Sequence, residues 1–117
     1  MMRFKSFLPA VILILFAAAG CSKSEESNEY RIGALLPLTG NASSIGEYVK
    51  NGIDLAVDEI NGRGGIKGKK LKILYEDTKN DAKEGVSAFS QLTSKGNLPM
   101  VISAMTGVTN AVMPLAD

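Results

Sequence analysis

The sequence predicts an α/β fold, a parallel sheet with helices on both faces. Three observations carry the prediction. Short apolar runs at Arg31–Leu36, Leu71–Tyr75 and Met100–Ser103 have the length of strands. Longer stretches between them repeat apolar residues at helical spacing. Segments rich in Gly, Pro, Asn and Asp separate the two kinds. The order β-α-β-α-β-α calls for parallel strands joined by right-handed crossovers.

Each element has its own signals. Arg31–Leu36 reads as a buried strand stopped by Pro37, and Leu38–Ser44 has loop composition. Ser44 with Glu47 forms a capping-box pattern opening the first helix. Ile45, Val49, Ile53, Ala56 and Ile60 then form one apolar stripe, which gives Ile45 a place on the core face. Asn61–Gly65 ends that helix, since glycine takes left-handed backbone angles cheaply. Leu71, Ile73 and Tyr75 alternate with Lys72, Leu74 and Glu76 in the second strand. Asp81 with Glu84 caps a second helix whose apolar face is Val86, Phe89 and Leu92, and Gly96 stops it. Met100–Ser103 is the third strand, and Thr106-Gly107 leads into a last helix carrying Ala111, Val112 and Leu115.

The N-terminus has the grammar of a targeting segment. Arg3 and Lys5 precede an apolar run of 14 residues, Phe7–Gly20, too short for the ~18–20 residues of a spanning helix. The run ends in Ala18-Ala19-Gly20-Cys21, which resembles the lipobox of bacterial lipoproteins. That resemblance implies export, cleavage before Cys21 and a diacylglycerol on its thiol, with the membrane lipid as partner. Ser22–Glu29 has no apolar residue and reads as a flexible tether. The chain thus divides into a signal peptide at 1–20, a tether at 21–29 and a folded part at 30–117.

Composition removes several chemistries. There are 117 residues, 13 Lys+Arg against 12 Asp+Glu, one Cys and no His. A near-neutral balance argues against a nucleic-acid partner. Without His there is no Ser-His-Asp or Cys-His catalysis and no His-containing metal site. No cofactor is expected. Gly62-x-Gly64-Gly65-x-x-Gly68 superficially matches a dinucleotide fingerprint, but such a loop must follow a strand and open a helix. This one follows a helix and opens a strand, so it reads as a turn.

The folded part resembles a known family. Ile32-Gly33 through Pro37-Leu38-Thr39-Gly40, Gly52-Ile53-x-Leu55-Ala56, Glu59-Ile60-Asn61, Gly64-Gly65-Ile66-x-Gly68, Glu76-Asp77 and Thr106-Gly107-Val108-Thr109 occur in one order. In that order they resemble the start of type I periplasmic binding proteins, in the leucine/isoleucine/valine-binding group. The resemblance implies a substrate-binding lipoprotein of an ATP-driven importer, not an enzyme, that captures an amino acid or similar small carboxylate and passes it to permease subunits. A ligand-sensing receptor of the same fold is the alternative. It also implies two lobes closing over the ligand, so the chain reads as an N-terminal fragment holding half of one lobe.

In open α/β sheets ligands sit beyond the carboxyl ends of the strands. Those ends are Leu38–Ser44, Asp77–Asn80 and Ala104–Thr109. Thr106, Gly107 and Val108 offer a hydroxyl and free amides at a helix start, which suits a carboxylate. Thr106 matches a carboxylate-binding position of the family, although as an N-cap it would serve its own helix. The segment before it is one residue shorter than the family pattern, which leaves Met105 near the site without a defined role. Ile45 falls where the family places an aromatic wall residue, so pocket wall stands as the alternative to core. Asp77 reads as a tie between loops.

Overall fold

The computed structural model describes residues 28–116. Cys21, the signal segment and most of the tether lie outside the described residues. Strand β1 (Glu29–Leu36) is followed by helix α1 (Ser43–Gly62), strand β2 (Lys70–Asp77) and helix α2 (Ala82–Ser94). Strand β3 (Val101–Ser103), helix α3 (Thr106–Val112) and a 3-10 turn (Met113–Leu115) complete the described part. The strands form one parallel sheet in the order β2-β1-β3. β1 opens at Glu29, one residue inside the stretch read as tether, and pairs there with Lys70.

Helices cover both faces, as expected. Side chains alternate across a strand, so neighbours mark opposite sides. Leu74 packs with Leu35, Ala88, Phe89, Leu92, Val108 and Val112, the core shared by the sheet, α2 and α3. Next to it, the Tyr75 hydroxyl donates to Asp54 Oδ1 of α1 at 2.6 Å, on the other face. Asp54 also accepts from Lys50 Nζ at 2.5 Å, and that ammonium lies 4.9 Å from the centre of the Tyr75 ring. Burial and the Asp54 hydrogen bond push the Tyr75 hydroxyl upward, while Lys50 and Tyr75 hold the Asp54 carboxyl down.

Four local expectations are corrected. Helix α1 begins at Ser43 behind Ala42, with no side-chain cap, so Ser44 and Glu47 form no capping box. The earlier start turns Gly46 toward the sheet and leaves Ile45 48% exposed, away from the core. The half-buried stripe is Val49, Ile53, Val57 and Ile60, while Ala56 is exposed. On α2, Val86 is exposed and Gly85, Ala88, Phe89 and Leu92 form the buried face. The reason is Gly85: a Cβ there would stand 2.7 Å from Val108, so its hydrogen is what lets α3 close on α2. Met100 is half-exposed and precedes β3, although its carbonyl accepts from the Gly33 amide at 3.0 Å.

Turn chemistry follows the sequence more closely. Asp81 caps α2 by accepting from the Lys83 and Glu84 amides at 2.8 and 2.9 Å. The glycine-rich segment closes α1 and opens β2. The Gly65 amide donates to Ile60 at 2.9 Å with φ +77, and a Cβ at Gly65 would fall 2.1 Å from the Lys69 carbonyl oxygen. Asn61 bonds both backbone groups of Leu71, at 2.8 and 2.9 Å, and so fixes α1 to the start of β2.

Candidate functional site

The parallel order gathers three loops at the carboxyl edge of the sheet: 37–42 after β1, 78–81 after β2 and 104–105 after β3. Asp77, the last residue of β2, ties the first loop to the second. Its carboxylate accepts from the Leu38 amide at 2.8 Å, the Thr39 amide at 3.3 Å and the Thr39 hydroxyl at 2.5 Å. It also accepts from the Lys79 amide at 2.9 Å. Lys79 and Asn80 hold positive φ values of 50 and 59, which bring that amide inward. Asp77 is thus the tie that the sequence suggested.

Burial alone would raise the Asp77 carboxyl. The hydrogen bonds from the Thr39 hydroxyl and from the Lys79, Leu38 and Thr39 amides outweigh it and leave the group below its ordinary value. Its folded pKa therefore lies under the unfolded value of about 3.9, so the tie is fully stabilising above that value. The contribution drains away as pH falls through the lower folded value. Hydrogen exchange at Leu38 and Thr39 is expected to accelerate as the pH is taken below about 4, beyond the intrinsic trend. In Asp77→Asn that acid step is expected to disappear. Equal acid response in both proteins would remove Asp77 from this role.

The first loop is held from its other side by α1. A Cβ at Gly46 would stand 2.1 Å from the Pro37 carbonyl oxygen, so the first turn of the helix rests on the backbone that leaves β1. Between them lies a cleft of about 440 Å³ lined by Leu38, Ser43, Glu47 and Lys50. A second cavity, about 410 Å³, lies apart from these loops near β3 and the 3-10 turn, with Phe89, Leu98, Met100, Val101 and Leu115 in its wall. The first is the one in contact with the loop edge.

Helix α3 carries the remaining candidates. Met105, not Thr106, occupies the N-cap position and makes no side-chain cap. Thr106 is the first helical residue, exposed, and its hydroxyl has no hydrogen-bond partner among the described residues. The amides of Thr106, Gly107 and Val108 are the helix's unpaired donors. The Val108 side chain is buried in the core, so only its amide can serve a ligand. Met105 is half-buried against the same core. Ile45 stands on α1 at the first loop, exposed.

Thr109 anchors this arrangement. Its hydroxyl donates to the Met105 carbonyl at 2.9 Å and lies 2.8 Å from Ser103 Oγ. Sequence reasoning missed Gly46, Gly85 and Thr109. A glycine inside a helix costs about 1 kcal/mol against Ala, and that cost was the available signal for the first two. Among the described residues no group of three or more His, Cys, Asp or Glu could hold a metal ion. Among them, too, no helix is long and apolar enough to cross a membrane.

Comparison with known proteins agrees with this architecture. Residues 29–117 match the periplasmic binding protein family. The chain is 36% identical over 104 residues to Leu/Ile/Val-binding protein homolog 3 of Brucella melitensis, covering 89% of this chain and 27% of that protein. It is 38% identical over 86 residues to Leu/Ile/Val-binding protein BraC3 of Rhizobium johnstonii, covering 74% of this chain and 23% of that protein. Among solved structures it resembles the branched-chain amino acid transporter substrate binding protein LivJ of Streptococcus pneumoniae in complex with isoleucine. That match has a TM-score of 0.70 and 30% identity, over 75% of this chain and 26% of the other. The chain thus spans about a quarter of the length of the relatives it matches.

Proposed function

The chain belongs to the periplasmic binding protein family, and from that premise we propose that it supplies the first half of one lobe of a two-lobed receptor for an amino acid or similar small carboxylate. The receptor hands its ligand to the permease of an ATP-driven importer. Relatives named as Leu/Ile/Val-binding proteins support the ligand class. The observation that carries the site is the start of α3, where three unpaired amides and the Thr106 hydroxyl stand at the loop edge without an internal partner. A carboxylate takes up to several such donors, and each charged hydrogen bond counts for more than a neutral one. Met105 directly precedes these donors in the chain, Ile45 stands apart on α1 beside the first loop, and the tie at Asp77 keeps that loop ready for the ligand.

In the two-lobed protein, Thr106→Val is expected to weaken isoleucine, leucine or valine binding by roughly 1–3 kcal/mol in calorimetric titration. Unchanged affinity in a folded variant would remove the Thr106 hydroxyl from the site. No binding of any of the three by the unsubstituted protein would overturn the ligand class.

The same reading includes the anchor. Cys21 is the sole thiol and stands where the apolar run meets the polar tether. In this reading the exported protein is held on a bacterial membrane by lipid at that residue, facing the periplasm or the cell exterior. Cells fed labelled palmitate are expected to label the wild type and to leave Cys21→Ala unlabelled. Equal label in the two would sink the assignment.

A further inference from the structure

At the end of the sheet opposite the candidate site, the molecule is basic. Arg31, Arg63, Lys67, Lys70 and Lys72 are exposed there, and Lys69 is half-buried. The topology gathers them: Arg63 closes α1, Lys67 sits at positive φ in the turn between Ile66 and Lys69, and Lys70 and Lys72 begin β2 beside β1. Among the described residues, the acidic groups facing them are three. Glu29 lies 3.6 Å from Arg31 and 3.8 Å from Lys72, Glu59 pairs with Arg63, and Asp58 is exposed on the last turns of α1. Six basic side chains thus face three acidic ones among the described residues, and the surplus of three positive charges is what a neighbouring surface feels at close range.

The chain also enters the fold at this end. The Lys70 amide donates to the Asn28 carbonyl at 3.1 Å, and Glu29 is the first residue of β1. Asn28 lies seven positions after Cys21, so even a fully extended tether keeps Asn28, at the edge of the cluster, within about 25 Å of the anchor. Charges are screened over roughly 8 Å at physiological ionic strength, and the tether lets the cluster come inside that distance.

We infer that this basic end of the lobe is a docking face for the anionic phospholipid headgroups of the membrane that holds the chain. The inference rests on the N-terminal anchor proposed above. Lysine and arginine near an anionic bilayer are each attracted to it, and a lipid anchor beside a basic patch combines two signals. The patch sets orientation more than retention: docked this way, the loops after β1, β2 and β3 face away from the bilayer, open to solvent for capture.

The test uses the full chain, isolated from membranes of expressing bacteria and reconstituted into vesicles. One set is phosphatidylcholine alone, the other a phosphatidylcholine–phosphatidylglycerol mixture. An amine-acylating reagent with mass spectrometry reads each lysine. Lys67 and Lys70 are expected to react at least about threefold more slowly in the anionic vesicles, and high salt should erase the difference. Lys79 and Lys83, at the opposite end, are expected to be unchanged. In Lys67→Glu with Lys70→Glu, the slowing at Lys72 should vanish. Equal rates in the two vesicle types, or equal slowing at Lys79 and Lys83, would overturn the docking face. So would protection in both vesicle types that Glu25→Gln with Glu26→Gln relieves, because the tether would then be the cover. The mass of the N-terminal peptide from the same sample reports lipid at Cys21 separately. A bare Cys21 would sink the anchor by itself, while the lysine pattern on the two vesicle types decides the docking face separately.

Discussion

Gly46→Ala is expected to lower stability by roughly 3 kcal/mol, whereas Gly52→Ala in the same helix is expected to raise it by up to about 1 kcal/mol. The two glycines differ only in what they face. A Cβ at Gly46 would overlap the Pro37 carbonyl oxygen at 2.1 Å, while one at Gly52 meets nothing within 4 Å. The contact at Gly46 is backbone, which cannot rotate aside, so α1 must lift off the loop that leaves β1. At Gly52 the added methyl only restricts the unfolded chain and favours the helix. Urea unfolding of both variants beside the parent measures the pair. Destabilisation of equal size in the two would mean that α1 does not sit on Pro37 as described.

Leu35→Ala is the second large effect, expected at roughly 3–4 kcal/mol. Leu35 lies on the central strand, is fully buried, and faces the core formed with Ala88, Phe89, Leu92, Val108 and Val112. Its neighbours are held by the sheet and by the Gly85–Val108 contact, so they cannot collapse into the space left behind. A loss of that size is a large share of the ~5–15 kcal/mol of a typical domain. Leu55→Ala, on a side chain 71% exposed, is the control and is expected to change stability by about 0.5 kcal/mol or less. A Leu35→Ala cost below about 1 kcal/mol would show that α2 and α3 do not close on β1.

Much of the fold was legible in the sequence because its signals are local. Pro37 after an apolar run, Asp81 before Glu84, and the glycines after Asn61 each dictate backbone behaviour within a few residues. What the sequence could not place was helix rotation. Ile45 and Val86 fit an apolar stripe by spacing, yet Gly46 and Gly85 take the sheet-facing and helix-facing positions. Periodicity counts apolar residues and gives no weight to a glycine, although close approach requires one there. Of the candidate site, what could be read was which loops come together: the three segments expected at the carboxyl edge of a parallel sheet do gather there. Asp77 was legible as a tie. Thr106 as an N-cap was not, because the boundary of α3 fell one residue earlier and put Met105 in that place.

The strand order also governs how the chain assembles in time. β1, first along the chain, ends in the middle of the sheet, so neither β2 nor β3 can pair until it is in place. Partners Glu29 and Lys70 are 41 positions apart, and Gly33 and Val101 are 68 apart. The longer closure costs only about 0.5 kcal/mol more, because loop entropy grows with the logarithm of length. The reward is less even: eight residues of β2 align with β1, against three of β3. The β1–α1–β2 unit is therefore the natural nucleus, complete once Asp77 has left the ribosome, with β3 and α3 condensing onto it afterwards. Substitutions at Asn61 or Gly65 should slow folding, while those at Val101 or Val108 should chiefly hasten unfolding.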